Sequence, residues 1–430
     1  MSLMSSLYAG ASGLSANSQD LSVIGDNIAN ANTIGFKASR AAFEDALAQS
    51  VINGGQIGMG TRLQAVQRLL AQGSLANTGI ATDLALEGQG LFIVNGPYNG
   101  QTANYYTRAG QFTVDRDGYL VNLQGLKVQG YPADSTGALQ MQIGDLLIGD
   151  ASSMPRATTE LTIRANLDSD AVTPTTPWDP TSASSMTDTS NFSIPTTVYD
   201  SLGNNHAVTI YFRKNGTGDW EWHAMEDGAG QSGGTAGTPM EVANGTLAFD
   251  TNGALTGSTQ TSNFNPVNAT NPQALAFDFG TSIADGGTGL DGITQFANTS
   301  AASFLGQDGY SAGDLSSIAF DDKGNIVGSF SNGQTRVLGQ VAVADFSAAD
   351  KLQRIGGNLF LQSATSGEPT IGVAGEGGRG AVVAGALEQS NVDMAAEFVH
   401  MIAAQRGFQA NSKTISTADQ LLAELMSLKR

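Results

Sequence analysis

The sequence predicts an α+β, multidomain chain, with N- and C-terminal α-helices forming a coiled-coil-like inner domain and mainly antiparallel β domains nested between them. Three observations carry this expectation: heptad-spaced apolar residues at both ends, glycine-centred turn signatures through the interior, and sparse charge outside an acidic middle. Of 430 residues, 40% are hydrophobic, only 14% are charged and 54 are glycine. That balance favours short strands and turns over long salt-bridged helices.

At the N-terminus, Leu7, Leu14, Leu21 and Ile28 recur at intervals of seven, which keeps one helix face apolar. Gly10 and Asn17 flank the stripe. The stretch NIANANTIGFK at 27–37 closes this element. Asparagine is a poor helix-interior residue, so Asn27 and Asn30 are expected on crowded faces where their amides bond across to neighbouring helices; the alternative is that they simply face water. Asn32, Thr33 and Gly35 are expected to stop the helix, placing its end near residue 32.

A compliant connector is expected over 33–75, matched by a glycine-rich return over 367–386. Gly35, Phe36, Gly54, Gly55, Gly58, Gly60, Gly377 and Gly380 are the expected hinge positions. The run Gly-Glu-Gly-Gly-Arg-Gly at 375–380 formally fits GxGxxG. A dinucleotide site needs parallel strands after it, whereas a heptad helix and the C-terminus follow, so a turn is expected.

Between the connectors, a β-rich middle domain is expected over 76–165 and 309–366, enclosing an acidic β-rich outer domain over 166–308. Four loops repeat an aspartate three residues before a glycine: Asp115 with Gly118, Asp200 with Gly203, Asp250 with Gly253, and Asp321 with Gly324. Aspartate caps the turn and glycine takes positive φ before the next strand. None has the alternating acidic ligands and final glutamate of a calcium loop. The outer segment carries fifteen acidic residues against Arg213 and Lys214, and a Pro/Ser/Thr-rich stretch over 172–190 is expected to lead into it as a linker or exposed excursion.

The C-terminal element, expected over 387–430, is a second ladder: Leu387, Met394, Met401, Phe408, Ile415 and Leu422, all seven apart, flanked by Ala404, Asn411 and Ala418. Small and amide flanks let such helices approach closely on several sides, which points to self-association. Isolated helices are marginal in water, so both ends are expected to fold as neighbours bury them.

Other chemistry is hard to assemble. There is no cysteine, so disulfides, thiolate metal sites and cysteine nucleophiles are excluded. His206 and His223 are expected as surface or hairpin residues and His400 lies off the helical ladder; no catalytic or metal set and no cofactor is expected. A formal charge of −19 disfavours nucleic acid as a partner. No apolar run approaches the ~18 residues of a membrane span, so neither membrane insertion nor a signal peptide of the Sec type is expected. A secreted β-rich adhesin with a helical stalk is an alternative class, separable by ultracentrifugation as a fixed small oligomer; an enzyme ranks third.

The segments GLSAN at 13–17, IAN at 28–30, NTIGFK at 32–37, GQGLFIV at 88–94, RAGQF at 108–112 and GYLV at 118–121 resemble the bacterial flagellar rod and hook axial protein family. The closing LEQSNVD at 387–393, with Glu397, Phe398, Gln405, Arg406, Phe408 and Asn411, resembles that family's C-terminal signature. The long acidic middle and the phrases YDSLG, SNG and GQVA are similar to the family's hook branch, with the distal rod branch as the alternative. The resemblance implies a structural, non-enzymatic subunit that stacks helically with copies of itself into a curved tube, a universal joint passing torque from rod to filament. It further implies inner-tube helices, an extracellular flagellar location, and export by the flagellar type III apparatus. Implied partners are the distal rod protein below, a hook cap during assembly and hook–filament junction proteins above.

Overall fold

The computed structural model describes residues 3–47 and 58–428. Its helices of a turn or more are α1 (Leu3–Ala29), the short α2 (Ala183–Thr189) and α3 (Met394–Leu428); most other described structure is antiparallel β. The chain divides into two compact units, one of Met1–Ala151, Leu315–Ser329 and Thr335–Arg430, the other of Ser152–Asp314 and Phe330–Gln334.

In the first unit, α1 is followed by a hairpin, β1 (Ser39–Leu47) and β2 (Gly58–Arg68), with Ser39 opposite Arg68. Among the described residues of the connector expected over 33–75, most are therefore strand. β-Branched and aromatic residues are few in it, but α1 supplies a surface for β2 to lie against: Gly60, at φ +98°, brings its backbone so close that a Cβ would stand 1.8 Å from Ser12 Oγ. β3 (Leu75–Asn77) then pairs with Ala386–Glu388, and β4 (Leu84–Glu87) with Ala381–Ala384, so outgoing and returning chain are hydrogen-bonded together. β5 (Leu91–Tyr98) and β6 (Gln101–Thr107) form a hairpin beside Thr335–Asp345. Their inward residues, with Phe346, Leu352 and Phe360, make a core in which Tyr106 and Phe346 meet edge to face at 4.8 Å.

The turn signature behaves as its chemistry dictates. Asp115 Oδ1 accepts the amide of Tyr119, and Asp200, Asp250 and Asp321 each accept amides two and four residues on. The paired glycines all have φ between 77° and 84°, the left-handed region glycine enters without steric cost. The glycines at 375–380 form a turn into the strand Ala381–Ala384, not into a helix.

Two helix boundaries differ from expectation. Leu387 is not on the C-terminal ladder: it lies in the strand Ala386–Glu388 and is buried there. Helix α3 starts at Met394 because Asp393 caps it, Oδ1 accepting the amides of Ala395 and Ala396 at 2.9 and 3.2 Å. α1 ends at Ala29 rather than near 32, and irregular turns occupy 30–35.

The second unit is a five-stranded antiparallel meander, Phe192–Tyr199, Asn205–Lys214, Asp219–Asp227, Pro239–Phe249 and Leu255–Ser262, packed with a three-stranded sheet of Ala276–Asp278, Glu160–Asn166 and Ala301–Gln307. Alternation puts Trp220, Trp222, Ile210 and Phe212 into one core. Glu160–Asn166, expected in the middle domain, gives Leu161, Ile163 and Ala165 to this core, so this unit begins earlier than residue 166. The stretch over 172–190, expected as a linker or exposed excursion, is exposed along most of its length but anchored at two points. Trp178 stacks on the His223 ring at 4.3 Å, while Met186 of α2 packs with Tyr211 and Met225. His206, expected as a surface or hairpin residue, lies in a hairpin strand but is buried: Nδ1 lies 2.6 Å from Glu226 Oε1 and Nε2 3.4 Å from Asp200 Oδ2. The Glu226 hydrogen bond chiefly raises its pKa, against the opposing effect of burial.

Candidate assembly surface and its anchoring junction

Helices α1 and α3 pack antiparallel. Gly10 faces Ile415, Gly13 faces Asn411, Asn17 faces Gly407 and Asn27 reaches Glu397. The approach is close because glycine occupies one side of three of these four contacts: a Cβ on Gly13 would come within 2.6 Å of Asn411 Nδ2, and one on Gly407 within 2.7 Å of Asn17 Oδ1. Buried positions on α1 are Gly10, Gly13, Ala16, Ile24 and Asn27, with Leu7, Leu14, Leu21 and Ile28 half-buried beside them. On α3, Ala404 and Ala418 are buried, and Met401, Phe408, Ile415 and Leu422 half-buried. The expected ladders thus serve, at least in part, the pairing of the two ends within one chain.

A second apolar row is left exposed among the described residues. Met394, Phe398 and Ile402, four residues apart on α3, are 39%, 48% and 52% exposed, and Val399 beside them is 65% exposed. Helical geometry places residues four apart on one face. An exposed row of large apolar side chains marks an interaction surface. The row is present in the sequence as a spacing of four, and it shares Met394 with the ladder of seven.

A polar junction anchors the helix pair to the β structure. Asn27 is buried, donating its amide to Ser39 O at 2.7 Å and to Glu397 Oε1 at 3.2 Å, and accepting the Ser39 amide at 2.9 Å. It therefore bonds to α3 of its own chain and also clamps the start of β1. Asn30 does not bond across: its amide turns back to Asp26 O at 2.8 Å and its oxygen accepts Thr33 Oγ1 at 3.1 Å, because the helix has already ended. Asn391 accepts the Ala38 amide at 2.7 Å and donates to Leu69 O and Ala71 O, each at 2.9 Å.

Glu388 sits at the centre of this junction with its side chain fully buried. Oε1 accepts Lys37 Nζ at 2.6 Å and the Gly73 amide at 2.8 Å, and Oε2 accepts Arg108 Nε. Arg108 spends its other donors on the carbonyls of Leu86, Gly88 and Gly90. Burial works against the carboxylate, but the Arg108 charge and the hydrogen bonds outweigh it and hold the Glu388 pKa below its ordinary value. Burial pushes Lys37 down, against the pull of Glu388. Arg68 completes the anchorage: its guanidinium donates to Ala349 O and Leu352 O and lies 4.3 Å over the Phe360 ring, and burial followed by Arg354 lowers its pKa to about 10.

The expected hinge positions divide. Gly35 is locked: its amide donates to Glu388 O at 2.7 Å, and a Cβ would meet Ala109 N at 2.7 Å. Phe36 is buried, Gly60 is packed on α1, and a Cβ on Gly380 would meet Glu87 O at 2.6 Å. Close packing at these four positions opposes bending there. Gly58 has open space, and Gly377 meets only the far end of the Arg379 side chain. Gly54 and Gly55 lie outside the described residues. Among the described residues, no cluster of three or more His, Asp or Glu could hold a metal, and no helix is long and apolar enough to cross a membrane.

Comparison with known proteins decides the family. The chain is 36% identical over 424 residues to "Flagellar hook protein FlgE" of Escherichia coli (strain K12), covering 97% of this chain and 98% of that one. It belongs to the flagellar hook protein family. Hook proteins of Treponema pallidum (strain Nichols) and Borreliella burgdorferi are 34% and 35% identical, over 100% and 99% of this chain and all of theirs. Family models match in the same order: flagella basal body rod protein at 7–37, flagellar hook protein FlgE/F/G D1 domain at 85–166, flagellar basal body protein FlaE D2 domain at 166–310, and flagellar basal body rod FlgEFG protein C-terminal at 383–428. The crystal structure of Helicobacter pylori flagellar hook protein FlgE2 aligns with TM-score 0.48 and 15% identity over 71% of this chain and 98% of that one. The chain is accordingly a structural subunit of the bacterial flagellar hook.

Proposed function

We propose that this hook subunit polymerises through the faces of α1 and α3 that remain after they pair with each other. The helix pair is the repeating brick of an inner tube, and the Met394, Phe398 and Ile402 row is the seam onto neighbouring copies. That exposed row is the observation supporting the proposal. The β structure forms outer layers. The tube curves and turns as a universal joint between the distal rod protein below and the hook–filament junction proteins above, growing under a hook cap from subunits delivered outside the cell by the flagellar type III export apparatus. Gly58 and Gly377, with Gly54 and Gly55, are the positions proposed to yield during bending. The role is mechanical and calls for no catalytic group or cofactor.

The test is the double variant Phe398→Glu, Ile402→Glu. Burying carboxylates against a neighbour without partners is costly, so the variant should keep the circular dichroism of the native chain yet form no tubes under conditions where the native chain does, by electron microscopy. Regular tubes from the variant would refute the seam. Removing 389–430 should likewise leave folded β units that do not polymerise.

A further inference from the structure

The outermost strand of the three-stranded sheet, Ala301–Gln307, has an unusual surface. It pairs with Glu160–Asn166 on one side and, among the described residues, with no strand on the other. Six of its seven residues are exposed, including Phe304 at 51% and Leu305 at 37%. Native proteins blunt free edges with lysine, proline or charge; the sequence AASFLGQ has none of these. It does have a bulge, where the register shifts between Arg164 and Ala165 and leaves Ser303 unpaired. Bulges re-aim side chains, and here Phe304 is directed outward, 5.6 Å from the exposed Arg164 guanidinium.

We propose that the Phe304 and Arg164 patch, which shares the outward face of the sheet, docks on a second copy of the chain, making an outer-layer contact between hook subunits. Charge selects that occupant. Residues 166–308 hold fifteen acidic side chains and two basic ones, so copies packed side by side repel unless they touch where charge is missing. The stretch 292–307 holds no charged residue. Arg164 offers a cation to the acidic surface of a neighbour at the edge of the apolar contact. The proposal rests on polymerisation of the chain, though not on the α3 seam.

The chain contains no cysteine, so Phe304→Cys creates a single thiol. Its maleimide labelling rate should fall at least tenfold on going from monomer to purified polymer, with no other protein present. Phe304→Glu should raise the protein concentration needed for tube growth about tenfold while leaving the monomer's melting temperature unchanged. Equal labelling rates in monomer and polymer, or an unchanged threshold concentration for Phe304→Glu, would overturn the patch as an interface. Failure of the unaltered chain to polymerise under any condition would instead sink the assembly function itself.

Discussion

Glu388 shows most clearly how single residues hold the chain ends in place. It offers one buried carboxylate to two buried cations, Lys37 and Arg108. Replacing it by glutamine leaves both cations without a counter-charge, and breaking a buried pair costs about 3–5 kcal/mol; thermal denaturation of Glu388→Gln should show a correspondingly lower melting temperature. The pH dependence has a definite sign. Because its folded pKa lies below the ordinary value, Glu388 contributes stability that is fully present above an unfolded carboxyl pKa of about 4.3 and lost as pH falls through the folded value. Melting temperatures between roughly pH 5 and pH 3 should therefore fall more for the native chain than for Glu388→Gln. Asn27→Ala should cost about 1–3 kcal/mol, because both backbone groups of Ser39 that bond to it become unsatisfied. Asn27 was legible in the sequence as a polar residue in an apolar periodic element. The partnership of Arg108 and Glu388 was not, since 280 residues separate them and no local pattern encodes so distant an ion pair.

At the scale of elements, close helix pairing depends on glycine. Gly13→Val should push α1 off Asn411, and Gly407→Val should push α3 off Asn17. Either is expected to lower helical circular dichroism or abolish tube growth while the sheet units melt as before. Gly60→Val should loosen the hairpin from α1, raising hydrogen exchange in β2 without changing exchange in the second unit. The heptad ladders, the interior turns and the order of elements were legible because spacing of three, four and seven residues, and aspartate before glycine, act locally. The hairpin over the connector was not, because its stability comes from α1 beneath it rather than from strand-forming residues of its own. Leu387 misled for a related reason: its spacing fits the ladder by seven, but pairing of Ala386–Glu388 with β3 wins, and Asp393 fixes where the helix can begin.

For the whole molecule, a formal charge of −19 means that copies repel at long range while apolar rows attract at contact. Raising ionic strength shortens the range of that repulsion, so polymer growth followed by light scattering should speed up between about 50 and 300 mM salt. The central claim is that α1 and α3 of one chain stay paired and present the Met394, Phe398 and Ile402 row to neighbouring copies. A reconstruction of the polymer by electron cryomicroscopy at side-chain resolution tests it most directly. The expected map has the antiparallel pair in the innermost layer, Gly13 still against Asn411, and Phe398 and Ile402 buried against a second copy. A map with these side chains facing solvent, or with α1 and α3 separated, would contradict it.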